Sequence, residues 1–267
     1  VVVLAGQVGA SQPFWFPSRF LLESPVWVGE DGAEPAATHA DAFAIAPYVG
    51  EEEGVVEFSR TSPADFIADA IEYVRGEGPW GPDSAEPGLR YAIRSDRALA
   101  AEFDLALIAY EGGQHFVGSR FTRDEVNTHP DMYNLYRALF DVWEDEGGGL
   151  FVHYAGIIPR GMNEPDEEPT YFQSENFGIK ELQTETEADA HKWRALRDQM
   201  RELGQISAAC SPADLAEPLG VLDGADVAAF VSAFGMDLAR ADLVPPPAVV
   251  DGLDVAAFIN AFGAGCS

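Results

Sequence analysis

One glutamate in this sequence stands where a carboxylate can do chemistry. Glu111 follows the six apolar or aromatic residues 105–110 and precedes Gly112 and Gly113. A strand of that composition is buried, so the carboxylate would lie at the mouth of a dry strand, beside a turn with room for a ligand. Such a group can act as a nucleophile or as an acid or base. Equally, Glu111 could be a hydrogen-bond acceptor that caps the Gly-Gly turn, and residue type alone leaves both interpretations open.

The neighbours of this glutamate are also polar. Tyr110, Gln114 and His115 could hydrogen-bond the carboxylate or the hydroxyl groups of a ligand. Other chemistries have less support, because the five histidines show no HxH or HExxH spacing for a catalytic zinc and no GxSxG nucleophile elbow occurs. A carboxylate-based site is therefore the main expectation, and it needs no cofactor for catalysis.

Four short apolar segments would position this site. Each is apolar on both faces and ends in a polar or aromatic residue, namely Gln7, Tyr48, Glu111 and Tyr154. The predicted strands are residues 1–7, 41–48, 104–111 and 149–155. Helical apolar spacing lies between and after them, at about residues 62–74, 95–103, 130–146 and 187–203. Strands that alternate with helices predict parallel βαβ units, and so an α/β fold.

The strand ends help to choose between an open doubly wound sheet and a barrel. Neither GxGxxG nor GxxxxGK[ST] follows any strand, which argues against a nucleotide-binding sheet. Polar residues at the carboxyl ends of successive strands are typical of a (β/α)8 barrel. Four strands make half of one, and the chain begins inside a strand, so we expect the front of the domain and an export signal to lie upstream of Val1.

Residues 1–200 resemble the C-terminal half of a glycoside hydrolase barrel of the retaining clan whose catalytic glutamates end strands four and seven. The resemblance rests on Ala-Ile-Ala-Pro-Tyr at 44–48, on Ala-Tyr-Glu-Gly-Gly-Gln-His at 109–115 and on the aromatic strand that follows. The segment is also similar to secreted proteins labelled cellulose-binding. The resemblance implies that the four strands are strands five to eight of a TIM barrel, that Glu111 is the nucleophile, and that Tyr48 hydrogen-bonds it. The acid/base would then end strand four, upstream of this chain, and these residues alone would be inactive.

The sequence departs from that family at strand eight, where such barrels commonly place a Trp under the sugar ring. Phe151, His153 and Tyr154 are the candidates here, and Tyr154 can still stack on a sugar. The aromatic residues 14–16 would either line a sugar cleft or pack a lid, and the acidic run 51–53 would either supply a second carboxylate or be a solvated surface. The alternative function is a barrel that binds carbohydrate, such as cellulose, without hydrolysing it.

The C-terminal part of the chain contains a duplicated segment. Residues 213–235 recur as residues 241–263, 28 positions later and without a gap, between Cys210 and Cys266. Each copy predicts a short helix with its large apolar residues on one face and a glycine at its end. Because one copy has too little apolar surface to fold alone, we expect two helices packed face to face and tied by a disulfide between the two cysteines. The predicted face consists of Val227, Phe230, Val231 and Phe234 in the first copy and of Val255, Phe258, Ile259 and Phe262 in the second.

This duplicated tail resembles the dockerin family, in the variant that ends in Gly-Cys, here Gly265 and Cys266. The resemblance implies two EF-hand-like calcium loops with a cohesin-like or cell-surface anchoring partner. The first, ninth and twelfth ligand positions are assigned to Asp214, Asp223 and Asp226 and to Asp242, Asp251 and Asp254. Middle ligands are missing, because Ala216, Pro218, Val244 and Pro246 stand near where Asn or Asp is needed. Weak or absent calcium binding is therefore favoured over working calcium sites.

Composition sets the remaining limits. The formal net charge of -29 disfavours nucleic acid and anionic membrane surfaces as partners, because both would be repelled. No apolar run is long enough to insert into a membrane. The prediction is thus a secreted or cell-surface protein that acts on a polysaccharide, with a partial glycoside hydrolase-like barrel at 1–204 and an all-α dockerin-like module of two duplicated helices at 205–267.

Overall fold

The computed structural model of this protein describes residues 1–8, 18–27, 32–50, 56–116, 121–158, 177–186, 188–206, 209–216, 219–236, 238–245 and 249–266. The aromatic residues 14–16 and the acidic run 51–53 lie outside the described residues. The chain divides into two compact units, Val1–Leu196 and Arg197–Ser267, which are treated separately below. This division falls within a helix, eight residues before the boundary expected from the sequence.

The first unit is built on a parallel sheet whose strands follow one another in chain order. Strands β1 (Val3–Ala5), β4 (Ala42–Ile45) and β6 (Ala106–Ala109) pair in parallel. Phe151 extends this sheet through a parallel bridge to Ala109, and the backbone bonds run on to the N–H of Val152, which donates to the carbonyl of Ala109 at 3.1 Å. All four predicted strand regions therefore lie side by side. The fold is mixed α/β with parallel strands, as predicted, and the described residues form no closed barrel.

Burial explains why these segments are strands. Every residue of β4 is buried, as expected of an apolar strand covered on both faces in a parallel sheet. Beyond the ends of β4 and β6, strand β5 (Tyr48–Gly50) pairs in parallel with β7 (Gly113–His115), so the two chain segments stay together past the sheet. Strands β2 (Pro25–Trp27) and β3 (Ala33–Pro35) form a separate antiparallel pair beside the short helix α1 (Ser18–Glu23).

Three helices cover the sheet, and their ends follow local chemistry. Helix α2 (Pro63–Arg75) begins at Ser62, whose hydroxyl accepts from the N–H of Asp65, and ends at Gly76 in the left-handed conformation. Helix α3 (Leu89–Glu102) begins six residues before the predicted start at 95. Helix α4 (Met132–Asp145) is tied to α3 by Arg94, which donates to Glu146 at 2.7 Å just beyond the end of α4.

One apolar core joins these helices to the sheet. Its largest fully buried side chains include Phe43, Phe66, Phe116 and Tyr136. The rings of Phe66 and Phe116 meet edge to face, with centroids 5.0 Å apart. In the chain between Phe116 and α4, residues Phe121–Val126 form a π-helix, which the sequence pattern did not predict. Helix α5 (His191–Glu202) follows, and none of the described helices is long and apolar enough to cross a membrane.

The second unit contains the duplicated tail. Helices α6 (Gly224–Gly235) and α7 (Gly252–Ala264) pack face to face as predicted, and Phe230 stacks on Phe258 with centroids 4.1 Å apart and ring planes 14° apart. The expected disulfide joins Cys210 to Cys266. The predicted apolar face is only partly correct, because Val227, Val231 and Ile259 are 39 %, 63 % and 62 % exposed. Small residues take their place, and Ala213, Ala233 and Ala241 complete the core around the two phenylalanines.

Candidate functional site at the carboxyl ends of the parallel strands

Glu111 lies where β6 ends and the chain turns into β7. The N–H of Tyr110 donates to the carbonyl of Ile45 at 3.2 Å, which continues the pairing with β4. On the other side the N–H of Tyr154 donates to the carbonyl of Gly112 at 2.9 Å. Backbone bonds thus hold the partly buried Glu111 between two neighbouring segments of the sheet, at its carboxyl edge.

The two glycines after Glu111 are required by close packing more than by an open turn. A Cβ on Gly113, whose φ is +136°, would lie 2.8 Å from Nε2 of His153 and 3.2 Å from the hydroxyl of Tyr136. A Cβ on Gly112 would lie 2.7 Å from the ring of Phe151. The space behind these glycines is therefore filled by protein side chains, and a ligand would have to approach Glu111 from another side.

Two tyrosines share the environment of the Glu111 carboxylate. The pKa of Tyr48 is raised well above its ordinary value, first because burial desolvates its hydroxyl and then because it faces the charge of Glu111, to which it can donate a hydrogen bond. The pKa of Tyr110 is raised for the same two reasons in the same order, burial and the charge of Glu111. Both hydroxyls therefore stay protonated at neutral pH and are available as donors.

Aromatic rings form one wall of this edge. His115 stacks on Phe177 with centroids 5.2 Å apart and planes only 2° apart, and its ring lies 5.7 Å from that of Tyr48. Tyr154 is 43 % exposed and lies 6.0 Å from Phe177. Nothing in the sequence singled out Phe177, since it belongs to no periodic segment. Tyr48, His115, Phe177 and Tyr154, here called the aromatic wall, offer ring faces next to a carboxylate.

Gln114 lies apart from that wall. Its side chain is buried, and its Oε1 accepts from the backbone N–H of Phe116 at 2.6 Å. This bond fixes the turn out of β7. The structure therefore assigns at least one of its polar atoms to the backbone.

A hydrogen-bond chain supports the strand ends from behind. The hydroxyl of Tyr136 lies 2.9 Å from Nε2 of His153, and Nδ1 of His153 lies 3.2 Å from the carbonyl of Ala155. Because a carbonyl only accepts, Nδ1 carries the proton, so Nε2 accepts from Tyr136, whose oxygen accepts in turn from the N–H of Gln114 at 3.4 Å. Burial and the nearby Lys192 ammonium lower the pKa of His153 to about 3. The sequence assigned Tyr136 only to the buried face of α4.

A groove of about 400 Å³ lies at the ends of β1 and β6. Gln7, the polar residue predicted to end the first strand, lines it together with Ser18, Phe20 and Tyr110. Phe20 is 72 % exposed, which is high for a phenylalanine. The groove therefore combines two accessible rings with small polar groups at the same edge of the sheet as Glu111.

In the tail, the assigned calcium ligands bind the backbone. Oδ1 of Asp226 accepts from the N–H groups of Leu215 and Ala216 at 2.7 and 2.8 Å, and its Oδ2 accepts from Asp223 at 2.8 Å. The second copy repeats this arrangement. Oδ1 of Asp254 accepts from Leu243 and Val244 at 2.7 and 3.0 Å, and its Oδ2 accepts from Asp251 at 2.9 Å.

Three of the four other assigned aspartates also bind backbone N–H groups. Asp223 and Asp251 each cap the helix that follows, which makes each Asp-x-x-Asp a capping box. Oδ2 of Asp214 accepts from the N–H groups of Cys210 and Gly220 at 2.8 and 2.6 Å. Asp242 is partly buried at the matching place in the second copy.

These residues do not fit an EF-hand loop. Asp223 and Asp226 stand nine and twelve residues after Asp214, one more than the ninth and twelfth loop positions allow, and the second copy has the same spacing. Calcium would also have to displace three N–H donors from each of the two most buried carboxylates. Cys210, Asp214 and Cys266 come together among the described residues, but the two sulfur atoms are bonded to each other.

Hydrogen bonds also hold these carboxylates ionised. Burial alone would raise the pKa of Asp226, but the N–H groups of Asp223, Ala216 and Leu215 outweigh it and hold that pKa below the ordinary range. The N–H of Asp251 has the largest effect on Asp254, whose pKa is lowered as well. Each carboxylate thus carries its charge at neutral pH and is neutralised by backbone dipoles.

The chain was compared with known protein families, with curated proteins and with solved structures, and no match was found in any of the three.

Proposed function

We propose that the first unit is part of a carbohydrate-active domain in which Glu111 is the catalytic nucleophile of a retaining glycoside hydrolase. The observation that carries this proposal is the position of the Glu111 carboxylate, which faces the Tyr48 hydroxyl at the carboxyl ends of two adjacent parallel strands. A tyrosine that donates to a carboxylate holds it in one orientation, which a nucleophile requires.

The order of the strands supports a barrel as the parent fold. In an open doubly wound sheet the strand order reverses at a switch point, whereas β1, β4, β6 and the segment at Phe151 follow in chain order. Parallel strands that add one after another, each through a helix, are the arrangement of a (β/α)8 barrel. We assign them to strands five to eight of such a barrel.

The proposed reaction follows from this assignment. An oxygen of Glu111 attacks the anomeric carbon, the glycosidic C–O bond breaks, and a second carboxylic acid protonates the departing oxygen. Water, activated by that second group, then releases the sugar from Glu111. Because retaining chemistry needs the two carboxyl groups about 5 to 5.5 Å apart, we propose that the second group ends the strand that precedes Val1 in a longer protein.

A second function is favoured by the aromatic wall. Exposed rings beside polar groups bind sugar faces by stacking, with or without hydrolysis. Tyr154 in the wall and Phe20 in the groove supply such rings at the same edge of the sheet. The alternative is therefore a barrel that binds a polysaccharide such as cellulose without cleaving it.

The test compares the longer reading frame with its Glu111→Gln variant on a panel of plant and algal polysaccharides. The hydrolase proposal predicts that the variant loses roughly a thousandfold or more in turnover but keeps its binding. Glu102→Gln is the matched control, because Glu102 is an exposed carboxylate whose partner is Arg19 on the surface. Binding without turnover by the unmodified protein would support the binding alternative, and equal turnover by both proteins would eliminate Glu111 as the nucleophile.

We further propose that the second unit is a docking module that works without calcium and attaches the protein to a cohesin-like or cell-surface partner. Two repeated helices with exposed apolar residues, among them Val231 and Ile259, support a binding role. A disulfide is stable in oxidising surroundings, which supports a location outside the cytoplasm. The test is a pull-down of the longer protein on cell-wall and cell-surface fractions in EDTA, with Val231→Asp/Ile259→Asp as the variant expected to lose binding.

A further inference from the structure

The disulfide of the second unit lies beside a carboxylate. One carboxylate oxygen of Asp214 and the Sγ atoms of Cys210 and Cys266 all lie within 4.8 Å of one another. While the two sulfur atoms are bonded to each other, neither can act as a thiolate ligand. Reduction releases two thiols next to the carboxylate. Two thiolates and a carboxylate are side chains of the types that bind zinc in proteins.

Asp214 is fixed in the orientation that such a ligand needs. It is 4 % exposed, and its Oδ2 accepts from the N–H groups of Cys210 and Gly220 at 2.8 and 2.6 Å. Hydrogen bonds of this kind commonly orient the carboxylates that bind metals. Its Oδ1 is also buried and has no hydrogen-bond partner among the described residues. Because an unpaired buried carboxylate oxygen is costly, a cation enclosed next to it would remove that cost.

The site is closed in the oxidised protein and opens on reduction. Oδ1 of Asp214 is out of contact with solvent, so a ligand cannot reach it while the disulfide is intact. Two thiolates on one zinc ion lie roughly 3.8 Å apart at a tetrahedral angle, well beyond the distance of two bonded sulfur atoms. Once the bond is broken, the sulfur atoms can separate, and the ion takes the space between them and the carboxylate. Cys266 is exposed, so the reductant and the metal approach from its side.

The ligand types select zinc over calcium. Thiolates are soft ligands that suit zinc, whereas calcium prefers oxygen ligands alone. Structural zinc is four-coordinate, so one more ligand is needed beside the three side chains. The carbonyl oxygen of Gly220 lies 3.4 Å from Sγ of Cys266, and either this oxygen or a water molecule completes the set.

The duplication supplies an internal comparison. Asp242 occupies the position of Asp214 in the second copy, 28 residues later, but Leu238 stands where the first copy has Cys210. Both cysteines of the chain belong to the cluster at Asp214. Asp242 is therefore the matched aspartate that has no part in the cluster.

From these contacts we infer that the reduced second unit binds one Zn²⁺ ion through Cys210, Cys266 and Asp214, in place of the disulfide. A dithiol reductant supplies the two electrons and two protons that convert the S–S bond into two thiols, and it is itself oxidised to a disulfide. Zinc then binds the two sulfur atoms as thiolates, and their two protons pass to the solvent. The ion joins the same two cysteines, so it ties the duplicated segment as the bridge does. This site depends neither on the proposed hydrolysis nor on the proposed docking.

The experiment is a calorimetric titration of the 267-residue chain with zinc, in its oxidised form and after reduction. A water-soluble phosphine is the reductant, because it becomes a phosphine oxide and leaves no competing thiol. The oxidised protein is the control for zinc bound by surface carboxylates, since the chain has 45 Asp and Glu residues. The reduced protein should bind one equivalent with a Kd of about 1 μM or less, at least roughly a hundredfold more tightly than the oxidised protein. Equal affinity of the two forms would overturn the inference.

Variants assign the ligands. Cys210→Ser/Cys266→Ser should lose the tight binding with and without reductant. Asp214→Asn should weaken zinc binding by roughly tenfold or more, whereas Asp242→Asn, the matched control, should keep the affinity of the unmodified chain. If Asp214→Asn binds zinc as tightly as Asp242→Asn, the carboxylate is not a ligand and the inference is wrong.

Two measurements on the unmodified chain keep the test valid if Asp214→Asn does not fold. Cobalt bound by the reduced protein should show the charge-transfer absorption of thiolate ligands, and its absence would contradict the site. Zinc should raise the melting temperature of the reduced second unit but not that of the oxidised one, because a ligand that binds the folded state stabilises it. A melting temperature of the reduced unit that zinc leaves unchanged or lowers would mean that the metal does not prefer the folded chain, which would also overturn the inference.

Discussion

The hydroxyl of Tyr136 on α4 donates to Nε2 of His153, 2.9 Å away and next to Tyr154 of the aromatic wall. This bond joins a helix of the outer layer to the last strand segment of the sheet. It also completes a chain that starts at the N–H of Gln114, three residues after Glu111. The position of the candidate site thus depends on a helix that contributes no group to it.

Removing this hydroxyl tests that support. Tyr136→Phe should lower the free energy of unfolding by about 1 to 3 kcal/mol, because it leaves Nε2 of His153 and the N–H of Gln114 without their partner. Chemical denaturation measures the change. Tyr91→Phe is the control, since Tyr91 is only partly buried on α3 and should change stability by less than about 0.5 kcal/mol. If the two substitutions change the free energy of unfolding equally, the bond from Tyr136 to His153 makes no particular contribution to stability.

His153 should make the first unit sensitive to acid. Its pKa is about 3 in the folded protein and near 6.5 when unfolded, because burial and Lys192 oppose its charge while Tyr136 keeps it an acceptor. The unfolded chain therefore binds a proton first as the pH falls, and stability is lost between about pH 6.5 and pH 3 by no more than about 1.4 kcal/mol per pH unit.

The measurement is the free energy of unfolding from about pH 7.5 to about pH 4.5 for the wild type and for His153→Gln, which keeps an acceptor but does not titrate. The difference between the two proteins should shrink as the pH falls. A difference that stays constant over this range would contradict a depressed pKa for His153.

Gly113 should not tolerate even a methyl group. Gly113→Ala places a Cβ 2.8 Å from His153 at a φ of +136°, where L-residues are strained, so we expect a loss of roughly 2 kcal/mol or more. Gly156→Ala is the control, because a Cβ there meets no described atom within 4 Å. The measurement is the melting temperature of both variants. If Gly113→Ala is as stable as Gly156→Ala, the backbone around this turn relaxes to accommodate the methyl group.

The tail should fold to the same stability in calcium and in EDTA. Its buried carboxylates are held by backbone N–H groups, so metal binding would have to break six bonds that already exist. The measurement is the melting temperature in about 5 mM calcium and in about 5 mM EDTA. This calcium concentration is roughly a thousandfold above the dissociation constant of an ordinary EF-hand calcium sensor. A melting temperature raised by calcium would restore the EF-hand interpretation.

The same unfolding experiment can show that these carboxylates act through the backbone. Asp226→Asn keeps one acceptor oxygen but cannot accept from the N–H of Asp223, so the melting temperature should fall, and Asp226→Ala should lower it further. In the wild type the contribution of Asp226 is present above its ordinary pKa and is lost as the pH falls through the lower folded value. Glu202→Gln, at an exposed carboxylate of the same unit, is the control. A melting temperature unchanged in all three variants would mean that the capping bonds add no stability.

Reduction of the disulfide should weaken the second unit by roughly 3 to 4 kcal/mol, because the bridge joins cysteines 56 residues apart in the unfolded chain. Cys210→Ser/Cys266→Ser should behave like the reduced protein. Urea unfolding with and without reductant gives the value. If reduction changes nothing, the carboxylate bonds and the phenylalanine stack suffice to hold the two helices.

Much of the fold follows from local patterns. Strands near 41–48 and 104–111 were predicted because runs of apolar residues exclude water from both faces, and the capped start of α2 is visible in Ser62 and Pro63. The early start of α3 was missed, although Leu89 and Ile93 are spaced for a buried helical face. Three arginines and an aspartate interrupt the apolar residues of this helix, and Gly88 before it offers no side-chain cap.

The candidate site was less predictable because long-range contacts build it. Glu111 and Tyr48 could be singled out as strand ends, but no pattern in the sequence brings Phe177 against His115 or Tyr136 against His153. In the tail, Val231 has the spacing of a core residue, yet it is exposed while its neighbour Phe230 stacks on Phe258.

That stack has one more consequence, since Phe230 and Phe258 are the same position in the two copies. A residue that meets its own counterpart is the mark of a self-complementary interface, of the kind found on the twofold axis of a homodimer. The tail is thus built as a dimer whose two subunits are joined in one chain. A peptide of either copy alone carries one half of that interface, so it should pair with a second molecule of itself.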